Sequence, residues 1–145
     1  MNKRLRTLGF LIKDVSRLST KHFERHATEL GLTLAQCKVL VMLSRNEGVT
    51  QAKLAECSDT DPMTLVRIID RMEGDGWIER RPDPNDRRAY QLHLKPGAAP
   101  VVEKILLLGD KARSESLAGF SNEERTQLVV LLERLHANLT ELVSK

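Results

Sequence analysis

Apolar positions recur at helical spacing from the start of the chain. Leu5, Leu8, Ile12, Val15, His22, His26 and Leu30 share one stripe that runs to Gly31, a residue suited to closing a helix. This predicts a long first helix. A second is expected from about Leu34 to Arg45, with Val39, Leu40, Met42 and Leu43 inward and a stop at Asn46-Glu47-Gly48. Thr50 then stands where a short third helix, TQAKLAEC, needs a cap. After the polar break Ser58-Asp59-Thr60, Asp61 before Pro62 is a strong start signal for a fourth helix. The carboxylate can accept a free amide hydrogen, and the proline ring suits the first helical position. Leu65, Ile68, Ile69 and Met72 form the inward stripe of this helix. Met63, Arg67 and Asp70 point the opposite way, with Thr64 and Arg71 on the flanks, and the helix ends at Gly74-Asp75-Gly76.

The period then changes to two. WIERR, a charged turn and AYQLHLK read as a β-hairpin in which Tyr90, Leu92 and Leu94 alternate with Gln91, His93 and Lys95, so one face should be buried. From Pro100 onward, Val101, Val102, Ile105, Leu106 and Ala112 mark a fifth helix. Ser121 with Glu124 forms a capping-box signature. It opens a sixth helix carrying Leu128, Leu131, Leu132, Leu135, Leu139 and Leu142. The sequence thus predicts a mainly α fold with a small β-hairpin, organised as a single domain over residues 1–145. Two short helices with a tight turn between them and a hairpin directly after form a winged helix-turn-helix, placed at residues 34–96. Helices at residues 1–31 and 100–145 flank it. Their apolar stripes exceed what a small winged domain needs for its own core, and so point to an intertwined helical homodimer.

Composition narrows the partners. At 145 residues the chain is long enough for one core, and a net charge of +3 is a weak argument for a polyanion. Local counts say more: seven Lys or Arg stand against two Asp or Glu from Met1 to His26, but six against seven from Asp61 to Tyr90. A nucleic-acid surface in the latter segment must arise from geometry, with arginines projected outward and acids used as caps. Two cysteines, Cys37 and Cys57, lack metal-ligand spacing, which fits free thiols in a reducing compartment. Lys13 and Asp14 cut short the apolar LGFLI near the N-terminus, so no signal peptide is read there, and no apolar run approaches the ~20 residues that span a bilayer. A cytoplasmic protein without a cofactor or a membrane partner is expected. No nucleophile with an adjacent base, glycine-rich phosphate loop or paired carboxylates in an apolar setting is found, which argues against an enzyme.

The order of elements, the stretch LGLTLAQCKVLVML and above all DPNDRRAYQLHLKPG resemble the MarR family of bacterial transcription regulators. That family's wing carries Asp-x-Arg and, after five intervening residues, Leu-Thr; Asp86, Arg88 and Leu94 match, whereas Lys95 replaces the threonine. The usual hydroxyl cap before the fifth helix is therefore missing. TLVRIIDRMEGDGWIERR looks closest to the SlyA-type branch. The resemblance implies a sequence-specific regulator of double-stranded DNA, expected to be a repressor: a homodimer on a roughly palindromic operator, with the recognition helix in the major groove and the wing in the minor groove. It also implies relief by a small anionic or phenolic ligand bound between the dimer helices and the DNA-binding part.

On that reading Arg67 faces a base pair, because arginine presents two donors matched to guanine O6 and N7. Met63 and Thr64 lie one turn earlier, where base edges are met. Arg71, Gln51 and the amides capped by Thr50 are phosphate contacts. Arg87 enters a narrow minor groove, and Asp86 is expected to orient the Arg88 guanidinium toward a phosphate. The competing readings are a solvated turn bearing surface ion pairs, Arg67 and Arg71 paired with Asp70, Glu73 or Asp75, and Thr50 as a cap only. A winged-helix module that contacts protein is the alternative function. His22, His26 and Cys37 are candidates for the effector pocket, against which stands the reading of Cys37 as core, the usual place of a lone small thiol at helical spacing. The two histidines also have the spacing of a metal pair, yet no third ligand at suitable spacing is found in the sequence.

Overall fold

The computed structural model describes residues 2–58 and 60–145; Asp59, in the polar break before the fourth helix, lies outside the described residues. Contacts divide the chain into two compact units, Met1–Ala112 and Arg113–Lys145. The first helix, α1 (Leu8–Ala27), is preceded by a 3-10 turn at Lys3–Thr7 and followed by another at Thr28–Leu30. Gly31 closes the run at φ +70°, the left-handed geometry expected of it.

The periodicity of α1 is as the sequence predicts, but within this chain the first half of its stripe is not covered among the described residues. Leu5, Leu8, Ile12 and Val15 are all exposed, and Ala27 is the buried residue of the helix. The same holds in the second unit. There α6 (Asn122–Val143) starts at the expected capping box and buries none of its residues, with Leu128, Leu131, Leu132, Leu139 and Leu142 exposed.

The core lies among α2 (Leu34–Arg45), α3 (Gln51–Ser58), α4 (Pro62–Gly74) and the hairpin. Thr33 caps α2 through a reciprocal box: its hydroxyl accepts the Gln36 amide at 3.1 Å and its amide donates to Gln36 Oε1 at 3.0 Å. Leu40 and Leu43 of α2, Leu54 of α3, and Leu65, Ile69 and Met72 of α4 meet Ile78 and Leu92 of the hairpin in one cluster. Each such side chain contributes about 1.5–3 kcal/mol by leaving water.

Strands β1 (Ile78–Pro82) and β2 (Tyr90–Leu94) are antiparallel, with Ile78 opposite Leu94, Arg80 opposite Leu92 and Pro82 opposite Tyr90. The turn from α2 to α3 is stitched to the free side of β2. The Gly48 amide donates to the Leu92 carbonyl and the Leu92 amide to the Val49 carbonyl, both at 2.9 Å, and Thr50 bridges Gln91. Gly48 holds φ +84° there, and a Cβ would meet the His93 ring at 3.5 Å. Glu47 Oε1 accepts the Leu94 amide at 2.9 Å. The buried face of the hairpin is shorter than its alternation predicts. Leu92 is buried and Leu94 half-buried, but Tyr90 is 50% exposed, because it pairs with Pro82 at the outer end of the ladder.

The helix after the wing, α5 (Ala99–Ser116), begins without a side-chain cap. A 3-10 turn at Pro96–Ala98 replaces the family's hydroxyl, with Lys95 extended and its amide donated to the Trp77 carbonyl at 2.9 Å. Val102, Ile105 and Ala112 are its buried positions. Among the described residues no single helix is long and apolar enough to cross a membrane.

Candidate nucleic-acid interface

The start of α4 is fixed by the signal read in the sequence. Asp61 Oδ2 accepts the Thr64 amide at 3.0 Å, with Pro62 in the first turn. Since Leu65, Ile69 and Met72 are buried, the opposite flank is held outward. Met63, Thr64, Arg67 and Arg71 are all exposed, Met63 by 68%.

The ion-pair reading of Arg67 and Arg71 is corrected by the structure. Asp70 and Glu73 turn instead to Arg80 of β1, whose Nη2 lies 2.6 Å from Asp70 Oδ1 and whose Nη1 lies 3.1 Å from Glu73 Oε1. Among the described residues neither Arg67 nor Arg71 forms an ion pair. Their guanidinium groups are left with the donor capacity that a guanine edge or a phosphate would use.

Just before α3, Thr50 Oγ1 accepts the Lys53 amide at 3.2 Å, so this threonine is a helix cap as well as a bridge partner of β2. Gln51 is half-buried, and its Oε1 accepts Arg80 Nε at 3.2 Å. Arg80 is the residue sequence reasoning missed. The signal available was the pair of acids three apart on the outward flank of α4, which need a cation from a neighbouring element.

The wing tip is built from short polar turns. Asp83 Oδ1 accepts the Asn85 amide at 2.8 Å, and the Asp83 amide donates to the Ala89 carbonyl at 3.1 Å. Asp86 Oδ1 accepts the backbone amide of Arg88 at 2.9 Å. The carboxylate thus shapes the turn rather than gripping the Arg88 guanidinium, a correction to the expected bidentate pair. A carboxylate two residues before an amide forms a compact Asx turn without ordering a long side chain. Arg87 and Arg88 are both exposed at this tip. Lower on the strand, Glu79 is held below the usual carboxylate range by hydrogen bonding and attraction from Arg81, an exposed pair worth little to stability.

The candidate effector residues lie on two helices, His22 and His26 on α1 and Cys37 on α2. His22 and His26 are half-buried, with ring centroids 5.0 Å apart and planes at 79°. Cys37 is 2% exposed within the hydrophobic core, and burial pushes its thiol pKa up, away from a reactive thiolate. A cavity of about 410 Å³ lies elsewhere, between the turn at residues 46–49 and Lys53, Leu54 and Cys57 of α3.

Comparison with known proteins bears on the whole arrangement. The model of the MarR family matches residues 32–90. The chain is 30% identical over 139 residues to the HTH-type transcriptional regulator YybA of Bacillus subtilis, covering 96% of this chain and 90% of that protein. It is also 30% identical over 129 residues to the multiple antibiotic resistance protein MarR of Escherichia coli, covering 88% and 90%. The chain belongs to the MarR family. It is a transcription regulator, as family members are, and not an enzyme. The solved structure of wild-type Escherichia coli MarR in its apo form matches with a TM-score of 0.81, covering 88% of this chain and 95% of that one at 30% identity. A mutant of that MarR has been solved complexed with operator DNA, and it matches at a TM-score of 0.78 and 29% identity over 91% of this chain and 95% of that one. The segment matched by the MarR model takes in α2, α3, α4, β1 and the wing tip, and ends at Tyr90, the first residue of β2. It contains every candidate DNA-binding residue from Thr50 to Arg88 and leaves out His22 and His26.

Proposed function

We propose that two copies of this chain bind one duplex as a sequence-specific repressor, each setting α4 into a major groove and its wing tip into the adjacent minor groove. The observation that carries the reading is the sorting of charge on α4. Asp70 and Glu73 are drawn to Arg80, while Arg67 and Arg71 stand exposed with no ion pair among the described residues. Arg67 then reads a guanine edge, Thr64 and Met63 contact bases a turn earlier, and Arg71, Gln51 and the α3 amides beside Thr50 hold phosphates. Arg87 enters the minor groove, and Asp86 sets the turn that presents it and Arg88. TLVRIIDRMEGDGWIERR favours a place in the SlyA-type branch. A protein of this function works in the cytoplasm, where the DNA is.

The exposed apolar faces of α1 and α6 support a homodimer, since so many Leu and Val side chains in water are a recognised mark of an interface. Sedimentation should give a dimer at working concentration, and a monomer would count against the arrangement. The decisive experiment is selection of bound sequences from a random DNA pool. Two inverted half-sites one helical turn apart, roughly 34–36 Å, are expected, and a pool that stays random defeats the reading.

Regulation is proposed through a small anionic or phenolic ligand near His22 and His26, with Cys37 as part of the hydrophobic core rather than a contact. Such a ligand acts by favouring one separation of the two recognition helices over another. A simple phenolic carboxylate should release the selected DNA from the wild-type protein and not from His22→Ala; equal release from both removes the histidine from the site.

A further inference from the structure

Arg80 sits at the third position of β1 and its guanidinium reaches three acceptors on two other elements. Nε donates to Gln51 Oε1 in the first turn of α3 at 3.2 Å. Nη1 and Nη2 meet Glu73 and Asp70 in the last turns of α4 at 3.1 and 2.6 Å. Its side chain is only 18% exposed, against 53% for its neighbour Arg81, which faces the other way and pairs within its own strand. A planar fork with donors on fixed vectors can satisfy three acceptors at once, which a lysine ammonium on a flexible stem cannot.

From this geometry we infer that Arg80 is a positioning residue for DNA recognition, a clamp that fixes the recognition helix against the wing; the inference rests on the DNA-binding reading given above. It acts in three ways. It ties the root of the hairpin to α4, so that Arg67 and the wing-tip Arg87 are presented at one fixed offset. It occupies Gln51 Oε1, which turns the other end of that amide, its NH₂ donor, away from β1 and toward the position a phosphate would take. It also draws the carboxylates of Asp70 and Glu73 toward the strand, off the face that Arg67 presents. Arg80 itself touches neither base nor phosphate.

The test uses the full chain, the sequence that the wild type enriches from a random pool, equilibrium titrations at several salt concentrations, and thermal unfolding of each variant. Arg80→Lys keeps the charge but loses the fork; affinity for the enriched sequence should fall tenfold or more, with the salt slope unchanged because no charged contact to a phosphate is lost, Gln51 being neutral. Asp70→Asn separates positioning from simple electrostatics and leaves the Glu73 and Gln51 contacts of Arg80 in place. Removing a negative charge beside DNA should tighten binding if only the field matters, whereas loosening of the clamp weakens it, and a weakening of at least threefold is expected. Binding by Asp70→Asn that is tighter than or equal to wild type overturns the clamp, as does Arg80→Lys with wild-type affinity. A wild-type chain that enriches no sequence overturns the DNA-binding reading instead, and the clamp's role with it.

Discussion

A single carboxylate oxygen of Asp61 accepts both the backbone amide of Thr64, at 3.0 Å, and its hydroxyl, at 3.3 Å. The residue that starts α4 thereby also fixes the rotamer of the first polar side chain on its outward flank. With its proton committed, the Thr64 hydroxyl offers only lone pairs and its methyl group to anything outside. Asp61→Ala should therefore cost about 1 kcal/mol of stability through the lost cap, whereas Asp61→Asn should be nearly neutral. Urea unfolding checks this, with a shift in midpoint at constant m-value expected.

Arg67→Ala should lose ~1–3 kcal/mol on the selected DNA sequence and relax discrimination at one base pair of each half-site. The exposed guanidinium has no ion pair among the described residues to give up on binding, so the loss should appear in full. Titration against sequences varied at a single position measures it, and equal losses on every sequence would move Arg67 from base to backbone.

Arg87→Ala should weaken binding about equally on all sequences and reduce the slope of log K against log salt by about one. The reason is the exposure of this side chain at a turn built by Asp83 and Asp86. A slope identical to wild type would take Arg87 off the DNA.

Glu124 accepts the Ser121 amide while its own amide donates to the Ser121 hydroxyl. Hydrogen bonding to the carboxyl from the Ser121 backbone amide foremost, and then from the Ser121 side chain, holds it below the ordinary glutamate range. A carboxylate depressed in the folded state stabilises above its unfolded pKa of ~4.3 and loses that contribution as pH falls through the folded value. The unfolding temperature of wild type should exceed that of Glu124→Ala at pH 7, and the two should converge as the pH drops below the carboxylate range. A gap that persists at pH 3 would show that the charge is not what caps α6.

Features made by neighbours in sequence can be read from the residues alone. Asp61-Pro62, the Ser121 and Glu124 box, the closing Gly31 and the period-two run into Leu94 each depend on residues within one turn or one strand. The Thr33 and Gln36 box carries the same signature as Ser121 and Glu124 and is equally local. What the sequence hides depends on distant partners. Gln51 and Arg80 are far apart in the chain yet hydrogen-bonded, and no local pattern says which acid on α4 will face the strand. Tyr90 keeps the alternation of a buried position, but the ladder runs past its cover there. The apolar stripes of α1 and α6 are plain in the sequence, whereas no local pattern says that Leu8, Ile12, Leu131 and Leu139 stay exposed within the chain.

The stitch between Gly48, Val49 and Leu92 gives the hairpin a mechanical character. Anchored along one edge to the turn ahead of α3, it cannot sway like a free whisker; it tilts only as a plate, carrying that turn with it. A side chain at Gly48, where the backbone is left-handed, would strain this turn and therefore be felt at the far tip of the plate, in residues that a substitution never touches.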